Sequence, residues 1–154
     1  MFDEKDRKII AELIKDGRAS VESVADAIGL SPTPTRRRIQ QMENEGVISG
    51  YRAVVDPEKC GLELGIFAFI KLQKRDRRTI ADFESEVIKI PEVLKCDLIT
   101  GAYDYVLMIR LPAMKTYNRF LRHVLAELPG VFGIETSVII GNVKDSHHLP
   151  VAST

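Results

Sequence analysis

The sequence predicts an α+β protein in which a helical N-terminal part precedes a part that mixes strands and helices. In residues 1–50, apolar residues recur at helical spacing in three short stretches, each closed by a glycine. From Gly61 onward the pattern changes to β-branched and alternating runs separated by two further helical stretches. The second part reads β-α-β-β-α-β, the ferredoxin-like order of a four-stranded antiparallel sheet with two helices on one face.

Composition excludes several classes of protein. The chain has 154 residues, 45% of them hydrophobic and 29% charged, and a formal net charge of zero, so any affinity for a polyanion must come from a local patch. Cys60 and Cys96 lack metal-ligand spacing and are expected to be small, buried and reduced. The charged start, Asp3–Lys8, argues against a signal peptide, and no apolar run reaches membrane-spanning length. We therefore expect a cytoplasmic protein without a membrane partner.

The first two predicted helices lead into a tight turn. Asp3–Asp16 carries an apolar stripe and ends before Gly17, and a second helix begins after Ser20 and stops at Gly29. Gly29-Leu30-Ser31 then joins it to a third helix. Three helices in about fifty residues with this tight turn are typical of a helix-turn-helix, whose second helix enters the major groove of DNA.

The third helix has an explicit start and an unusual polar face. Ser31 is a predicted N-cap, Pro32 suits the first helical position and Gly46 suits the stop. Thr35, Ile39 and Met42 share the face that should pack inward. The opposite face and its flanks carry Thr33, Arg36, Arg37, Arg38, Gln40, Gln41 and Asn44. Arginine and glutamine read guanine and adenine edges in the major groove, although an ordinary solvated face is the alternative.

The remaining elements follow from β-branched runs and helix breakers. Val47–Pro57 is predicted to be a strand or wing that crosses to the second domain. The charged segment Lys74–Arg78 is interpreted as a solvated loop. The other predicted elements are the strand Gly65–Gln73, the helix Thr79–Lys89, the strands Val93–Ile99 and Tyr105–Leu111, the helix Met114–Leu128 and the strand Ile134–Val143.

One face of the predicted sheet must remain uncovered, because the two helices cover only the other. Either Phe67 and Phe69 or their alternates Ile66, Ala68 and Ile70 lie on that open face. Large apolar side chains on an open face form an interaction surface. We therefore expect two such sheets to pack face to face.

The chain resembles the Lrp/AsnC family, the leucine-responsive or feast/famine regulators, over nearly its whole length. The resemblance depends on the stretch from Gly29 to Pro34, on Gly46-Val47-Ile48-Ser49-Gly50-Tyr51, on Thr100–Tyr105 and on Leu128-Pro129-Gly130-Val131. It implies a winged helix-turn-helix DNA-binding domain (1–50), a β-strand linker (51–61), an effector-binding and oligomerisation domain (62–144) and a tail (145–154). It also implies dimers that assemble to octamers, and control of transcription by an amino acid or related small metabolite.

The resemblance also implies particular site residues. Ser31, Thr33, Arg37, Arg38 and Gln41 match the helix that faces DNA, and Arg36 and Gln40 lie beside them. Gly101, Ala102, Tyr103 and Asp104 match the turn that holds the effector, with Met114, Thr136, Ser137 and Val138 near the pocket of the neighbouring subunit. A turn containing glycine exposes N–H donors to a carboxylate, and Asp104 is the expected partner for an ammonium group. Ala102 stands where many relatives carry an acidic or polar residue, which implies an altered ligand choice or none.

Competing functions are separated by the residues the sequence lacks. An enzyme built on the ferredoxin-like domain is disfavoured, because no Ser/His/Asp or Cys/His set is evident. His147 and His148 are interpreted as part of a solvated tail, since two adjacent histidines do not make a metal site. No catalytic residue, metal ligand or cofactor is predicted beyond the effector. An architectural DNA-binding protein without an effector remains the other alternative.

Overall fold

The computed structural model describes residues 2–144. Contacts divide it into two compact units, one containing the residues up to Val54 and the other spanning Val55–Val143. The division falls inside the predicted linker of residues 51–61, and the limits of the predicted domains stay a prediction. The predicted tail, with His147 and His148, lies outside the described residues.

The N-terminal unit contains the three predicted helices, α1 (Glu4–Lys15), α2 (Val21–Ile28) and α3 (Pro32–Asn44). Asp3 and Asp6 form a reciprocal capping box at the start of α1, and the Ser20 side chain accepts the Ser23 N–H at the start of α2. Gly29 ends α2 with φ of 69°, a left-handed conformation that glycine adopts without strain. The helices bury a small core that contains Ile9, Val24 and Met42.

The Ser31 hydroxyl does not cap α3, which corrects the sequence prediction. Ser31 is the N-cap by backbone conformation, but its side chain makes no capping hydrogen bond. With Pro32 and Pro34 in the first turn, few N–H donors are left for a cap. The Ser31 carbonyl instead accepts the buried Thr35 hydroxyl at 3.0 Å.

The strand predicted for Val47–Pro57 is absent from the described chain. Residues 45–48 form a turn and bend, residues 51–56 have no regular structure and residues 57–61 form turns. β-branched composition alone does not make a strand, because residues 2–144 offer this segment no neighbouring strand to pair with. Its first half is held to α3 instead, since the Ile48 N–H donates to the Met42 carbonyl at 3.1 Å and the Tyr51 hydroxyl donates to Glu43 at 2.9 Å.

The second unit has the predicted β-α-β-β-α-β order. Its elements are β1 (Leu64–Leu72), α4 (Arg77–Val87), β2 (Val93–Leu98), β3 (Tyr105–Leu111), α5 (Met114–Phe120), which continues as a π-helical turn (Leu121–Leu125), and β4 (Val131–Val138). The antiparallel sheet has the order β2-β3-β1-β4. The prediction placed β4 too late, because pairing with β1 runs from Leu72 opposite Val131 to Ile66 opposite Val138.

The two faces of the sheet differ as expected. Ile66, Ala68 and Ile70 are buried against the helices, whereas Phe67, which is 39% exposed, and Phe69 lie on the other face. We call the side that carries Phe67 and Phe69 the open face. Of the two alternatives predicted from the sequence, the alternation of β1 therefore selects the one with Phe67 and Phe69 on this face.

The two cysteines differ in their exposure. Cys60 is exposed, contrary to the prediction that it is buried, because it lies in the turn of residues 57–61 and no element covers it. Cys96 is half-buried, and burial raises the pKa of its thiol to about 11.

In the described residues every helix is too short or too polar to cross a membrane.

Candidate DNA-binding and ligand-binding sites

The outward face of α3 presents polar side chains that are free to meet a ligand. Ser31, Thr33, Arg37 and Gln40 are all exposed, and within residues 2–144 none of these side chains forms a hydrogen bond or ion pair. The Gln41 side-chain amide donates to Glu45 at 2.7 Å, a bond between two exposed groups. Thr35 and Met42 on the opposite face are buried, so packing fixes which side of the helix faces outward.

Arg36 lies at the flank of this face. Its guanidinium approaches Glu22 of α2 at 3.4 Å, and both side chains are exposed. An exposed ion pair of this length contributes little and is readily exchanged for another anion. Arg36 is therefore accessible to a phosphate.

Arg38, which matches the helix predicted to face DNA, has partners within the chain, and its contact with DNA stays a prediction. Its guanidinium lies 2.8 Å from a carboxylate oxygen of Asp3 and 2.8 Å from one of Asp6, and its side chain is only 26% exposed. Hydrogen bonds to Asp6 and Asp3 raise the pKa of Arg38. The pKa of Asp3 is lowered, chiefly because its carboxylate accepts the Asp6 N–H and secondarily through Arg38. Arg38 therefore joins α3 to the start of α1.

We expect Arg38→Met to destabilise the N-terminal unit by about 1–2 kcal/mol, because it leaves the buried Asp6 carboxylate without its cation. Since the pKa of Asp3 is lowered on folding, its contribution is present above about pH 4 and is lost as the pH falls through the lowered value. Urea unfolding at pH 7 and pH 3 measures both effects. A variant as stable as wild type at pH 7, with weaker DNA binding, would return Arg38 to the DNA contacts.

The predicted effector turn lies in the hairpin between β2 and β3. Gly101, with φ of 122°, and Ala102 are exposed, and Tyr103 is half-buried. Asp104, the predicted partner of an ammonium group, has contacts within the chain, and its contact with a ligand stays a prediction. It is 6% exposed, its carboxylate accepts the Leu72 N–H at 2.8 Å, and its other oxygen lies 2.6 Å from Nε of Arg75. Asp104 is therefore committed to internal contacts.

Sequence reasoning missed Arg75, which was assigned to a solvated loop. The Arg75 side chain is 66% exposed, but its pairing with Asp104 places a cation beside the hairpin. Twenty-nine positions separate the two residues, so only the pairing of β1 with β3 reveals that they meet.

Of the other predicted effector residues, three are consecutive in β4 and one begins α5. Thr136 hydrogen-bonds through its hydroxyl to Tyr117, Ser137 is exposed opposite Phe67, and Val138 is 39% exposed at the end of β4. Met114 is exposed at the start of α5. The Tyr103 hydroxyl donates to Glu135, the neighbour of Thr136, and this bond raises the pKa of Tyr103. The part these residues play in a neighbouring subunit stays a prediction.

A cavity of about 440 Å³ lies at the other end of β2 and β3 from the hairpin. It is lined by Glu92, Leu111, Pro112, Thr116, Arg119, Phe120, His123 and Val124. Its lining combines apolar side chains with Glu92, Arg119 and His123, and it shares no residue with the predicted effector turn. Within the described residues no group of three or more His, Cys, Asp or Glu side chains could hold a metal ion.

Comparison with known proteins decides the family. Residues 2–49 match the model of a winged helix-turn-helix DNA-binding domain, and residues 65–149 match the Lrp/AsnC ligand-binding domain. The chain belongs to the Lrp/AsnC family. It is a DNA-binding transcriptional regulator with a ligand-binding domain, and not an enzyme.

Relatives of this Lrp/AsnC regulator match it over nearly its full length. It is 38% identical over 150 residues to the leucine-responsive regulatory protein of Klebsiella pneumoniae, covering 97% of this chain and 92% of the relative. It is 38% identical over 145 residues to the proline dehydrogenase transcriptional activator of Rhizobium radiobacter, covering 94% and 93%. The crystal structure of a Neisseria meningitidis transcriptional regulator in complex with L-Met superposes with a TM-score of 0.93 at 30% identity, covering 98% and 97%.

Proposed function

We propose that this Lrp/AsnC regulator reads specific duplex sequences with the outward face of α3, works as a homodimer or larger homo-oligomer, and answers to an amino acid. The observation that supports the DNA contact most is the exposed and unpaired state of Arg37 in the described residues, next to Gln40 and Gln41. Arginine and glutamine form bidentate hydrogen bonds with guanine and adenine. Arg36 contacts a phosphate. Ser31 and Thr33, at the start of α3, contact the sugar-phosphate backbone of the DNA.

The open face of the sheet is the proposed dimer surface. Phe67 and Met108 form a pair on it, and Phe69 pairs with Val106. Packing of a second sheet on these apolar side chains removes them from water and thereby stabilises a dimer. Two aligned sheets pack about 10 Å apart. A dimer also places two copies of α3 in successive major grooves of a pseudo-palindromic site.

Selection of binding sites from a pool of randomised duplexes tests the DNA proposal. The full chain should enrich a pseudo-palindrome whose half-sites are about one helical turn apart, roughly 10 base pairs. Enrichment of bent or A·T-rich DNA without a defined motif would instead support an architectural protein. Gln40→Ala should weaken selection at one base position, and the exposed Lys59→Ala serves as the control, because Lys59 lies outside α3.

The hairpin at residues 100–104 is the proposed ligand site. Its exposed backbone at Gly101 and Ala102 supplies N–H donors for a carboxylate, and the exposed Arg75 adds a cation. The relative from Neisseria meningitidis was solved with L-Met, which makes an amino acid the first ligand to test. With Asp104 already paired to Arg75, the ammonium group of the ligand needs an acceptor other than Asp104.

Calorimetric titration of the full chain with L-methionine and L-leucine tests this site. Ala102→Arg, which fills the exposed turn, should abolish binding, whereas Arg119→Gln in the cavity at the other end of β2 and β3 should bind as wild type does. Loss of binding in Arg119→Gln alone would move the ligand to the cavity. Absence of heat with either amino acid would contradict the proposed ligand class.

A further inference from the structure

Arg110 is a buried arginine on the open face of the sheet, and none of the described residues pairs with its side chain. It is 7% exposed, and within residues 2–144 its side chain forms no hydrogen bond and no ion pair, so its guanidinium nitrogens keep a narrow contact with solvent. Tyr105, Leu107, Ile109 and Leu111 of β3 point to the helices, so Arg110 alternates onto the side of Phe67. Every other buried charged side chain in the described residues, Asp6 and Asp104, has an ionic partner.

The open face is shaped to hold this guanidinium. Arg110 pairs with Gly65 in the register of β1 and β3. A Cβ atom on Gly65 would lie 3.3 Å from Cζ of Arg110 and 3.0 Å from Cδ1 of Ile139, so the absence of a side chain at Gly65 makes room for both groups. The Arg110 side chain therefore lies flat across β1 toward β4, where it is held by packing.

Closing the open face around Arg110 makes an acceptor necessary. Arginine keeps its charge in proteins and offers five N–H donors. Covering those donors with an apolar partner surface would remove their remaining water without replacing its hydrogen bonds, which is costly. Dimerisation through the open face thus requires that the second copy bring an acceptor to this position.

The open face carries its own acceptors, but at the wrong end for the same chain. Glu135 lies opposite Phe69, and Asp97 lies opposite Val106. The row of Val106 is four residues from Arg110 along β3, roughly 14 Å, which exceeds the reach of an arginine side chain. Cation and carboxylates therefore lie at opposite ends of the apolar band that contains Phe67 and Met108.

A two-fold axis that runs across the strands, between two packed sheets, brings these opposite ends together. Under that symmetry β3 of one copy lies over β3 of the other with its direction reversed, so the Arg110 end faces the Glu135 and Asp97 end. Because Arg110 leans across β1 toward β4, Glu135 on β4 is nearer to it than Asp97 on β2. Each dimer would contain the contact twice.

We propose that Arg110 forms an ion pair with Glu135 of a second copy of this chain, and that this pair sets the register of the sheet dimer. The proposal rests on the dimer described under Proposed function and adds the residues that fix its geometry. Bidentate arginine–carboxylate contacts are directional, whereas apolar packing of Phe67 and Met108 alone would tolerate sliding.

Sedimentation of the full chain over a range of concentrations tests the pair. Arg110→Met keeps the packing over Gly65 but removes the charge, so Glu135, which accepts the Tyr103 hydroxyl within its own chain, loses its cation and the dimer dissociation constant should rise about 10-fold or more. Glu135→Gln should weaken the dimer comparably, and the double variant should be no weaker than either single one. Lys71→Met, which removes an exposed cation of the same face, is the matched control and should change the constant less than 2-fold.

The outcomes separate this proposal from the dimer itself. If wild type dimerises and Arg110→Met dimerises equally or more tightly, or if the two single effects add in the double variant, the ion pair is refuted while the sheet dimer stands. If wild type sediments as a monomer at every concentration, the sheet dimer fails and the ion pair fails with it. Partial recovery of the dimer in Arg110→Glu/Glu135→Arg would support the pair independently.

Discussion

Asp104→Ala should lower the free energy of unfolding of the strand-rich unit by about 2–4 kcal/mol. The substitution removes the acceptor of the buried Leu72 N–H, at 2.8 Å, and the partner of Arg75, at 2.6 Å. A hydrogen bond to a charged group contributes about 1.5–3 kcal/mol, and a buried donor without an acceptor costs more. The loss is concentrated where three strands end, because the Asp104 backbone also bonds to Ile70 and Ile99.

Urea unfolding followed by far-ultraviolet circular dichroism measures this loss. Asp97→Ala is the matched control, because Asp97 is a half-exposed carboxylate on β2 whose partner is the exposed Lys95, and its removal should cost less than about 0.5 kcal/mol. Asp104→Asn keeps an acceptor for Leu72 and should fall between the two. If Asp104→Ala were as stable as wild type and lost only ligand binding, Asp104 would be the free ligand contact that the sequence predicted.

Arg37→Ala should weaken binding to the selected DNA site by about 1–3 kcal/mol, which is roughly 5- to 150-fold. Arg37 is exposed at the centre of the outward face of α3 and forms no ion pair in the described residues, so the substitution leaves the fold unchanged. The loss of affinity should be seen only at sites that carry the base pair contacted by Arg37. Binding to random DNA should be almost unchanged.

Arg36→Ala provides the comparison for Arg37. Because Arg36 flanks the face, Arg36→Ala should weaken binding to selected and random DNA alike. The dependence of the binding constant on salt concentration should fall by about the amount that one phosphate contact contributes. Fluorescence anisotropy at two fixed salt concentrations distinguishes the two patterns. Equal losses on selected and random DNA for Arg37→Ala would make Arg37 a phosphate contact and leave base recognition to Gln40 and Gln41.

The helices and the sheet could be predicted because their signals are local. Ser20 and Gly29 bracket α2, and the alternation of Phe67 and Phe69 with Ile66 and Ala68 separates the two faces of β1. The prediction of a strand after Gly46 was wrong, since a β-branched run becomes a strand only when another strand supplies its hydrogen bonds. The start of β4 was likewise set by its pairing with β1 and not by its own composition.

The candidate sites were less accessible to sequence reasoning, because they depend on contacts between distant residues. The helical wheel placed Arg37 on the outward face, but it could not show that Asp3 and Asp6 of α1 engage Arg38. In the same way, the motif at residues 100–104 indicated the hairpin but not the pairing of Asp104 with Arg75. Long-range ion pairs leave no periodic trace in a single sequence.

Cleavage of DNA by an iron chelate attached to α3 tests the central claim, that the outward face of this helix enters the major groove. The reagent is placed at Asn44→Cys, an exposed position near the end of the outward face, in a Cys60→Ser background, since Cys60 is exposed, whereas Cys96 is half-buried with a pKa raised to about 11 and reacts poorly. Ser85→Cys, on an exposed position of α4, is the control.

We predict two clusters of cleavage on the selected site from position 44, separated by about one helical turn and centred on the major groove of each half-site, and no localised cleavage from position 85. Diffuse cleavage from position 44, or cleavage localised only from position 85, would contradict the account.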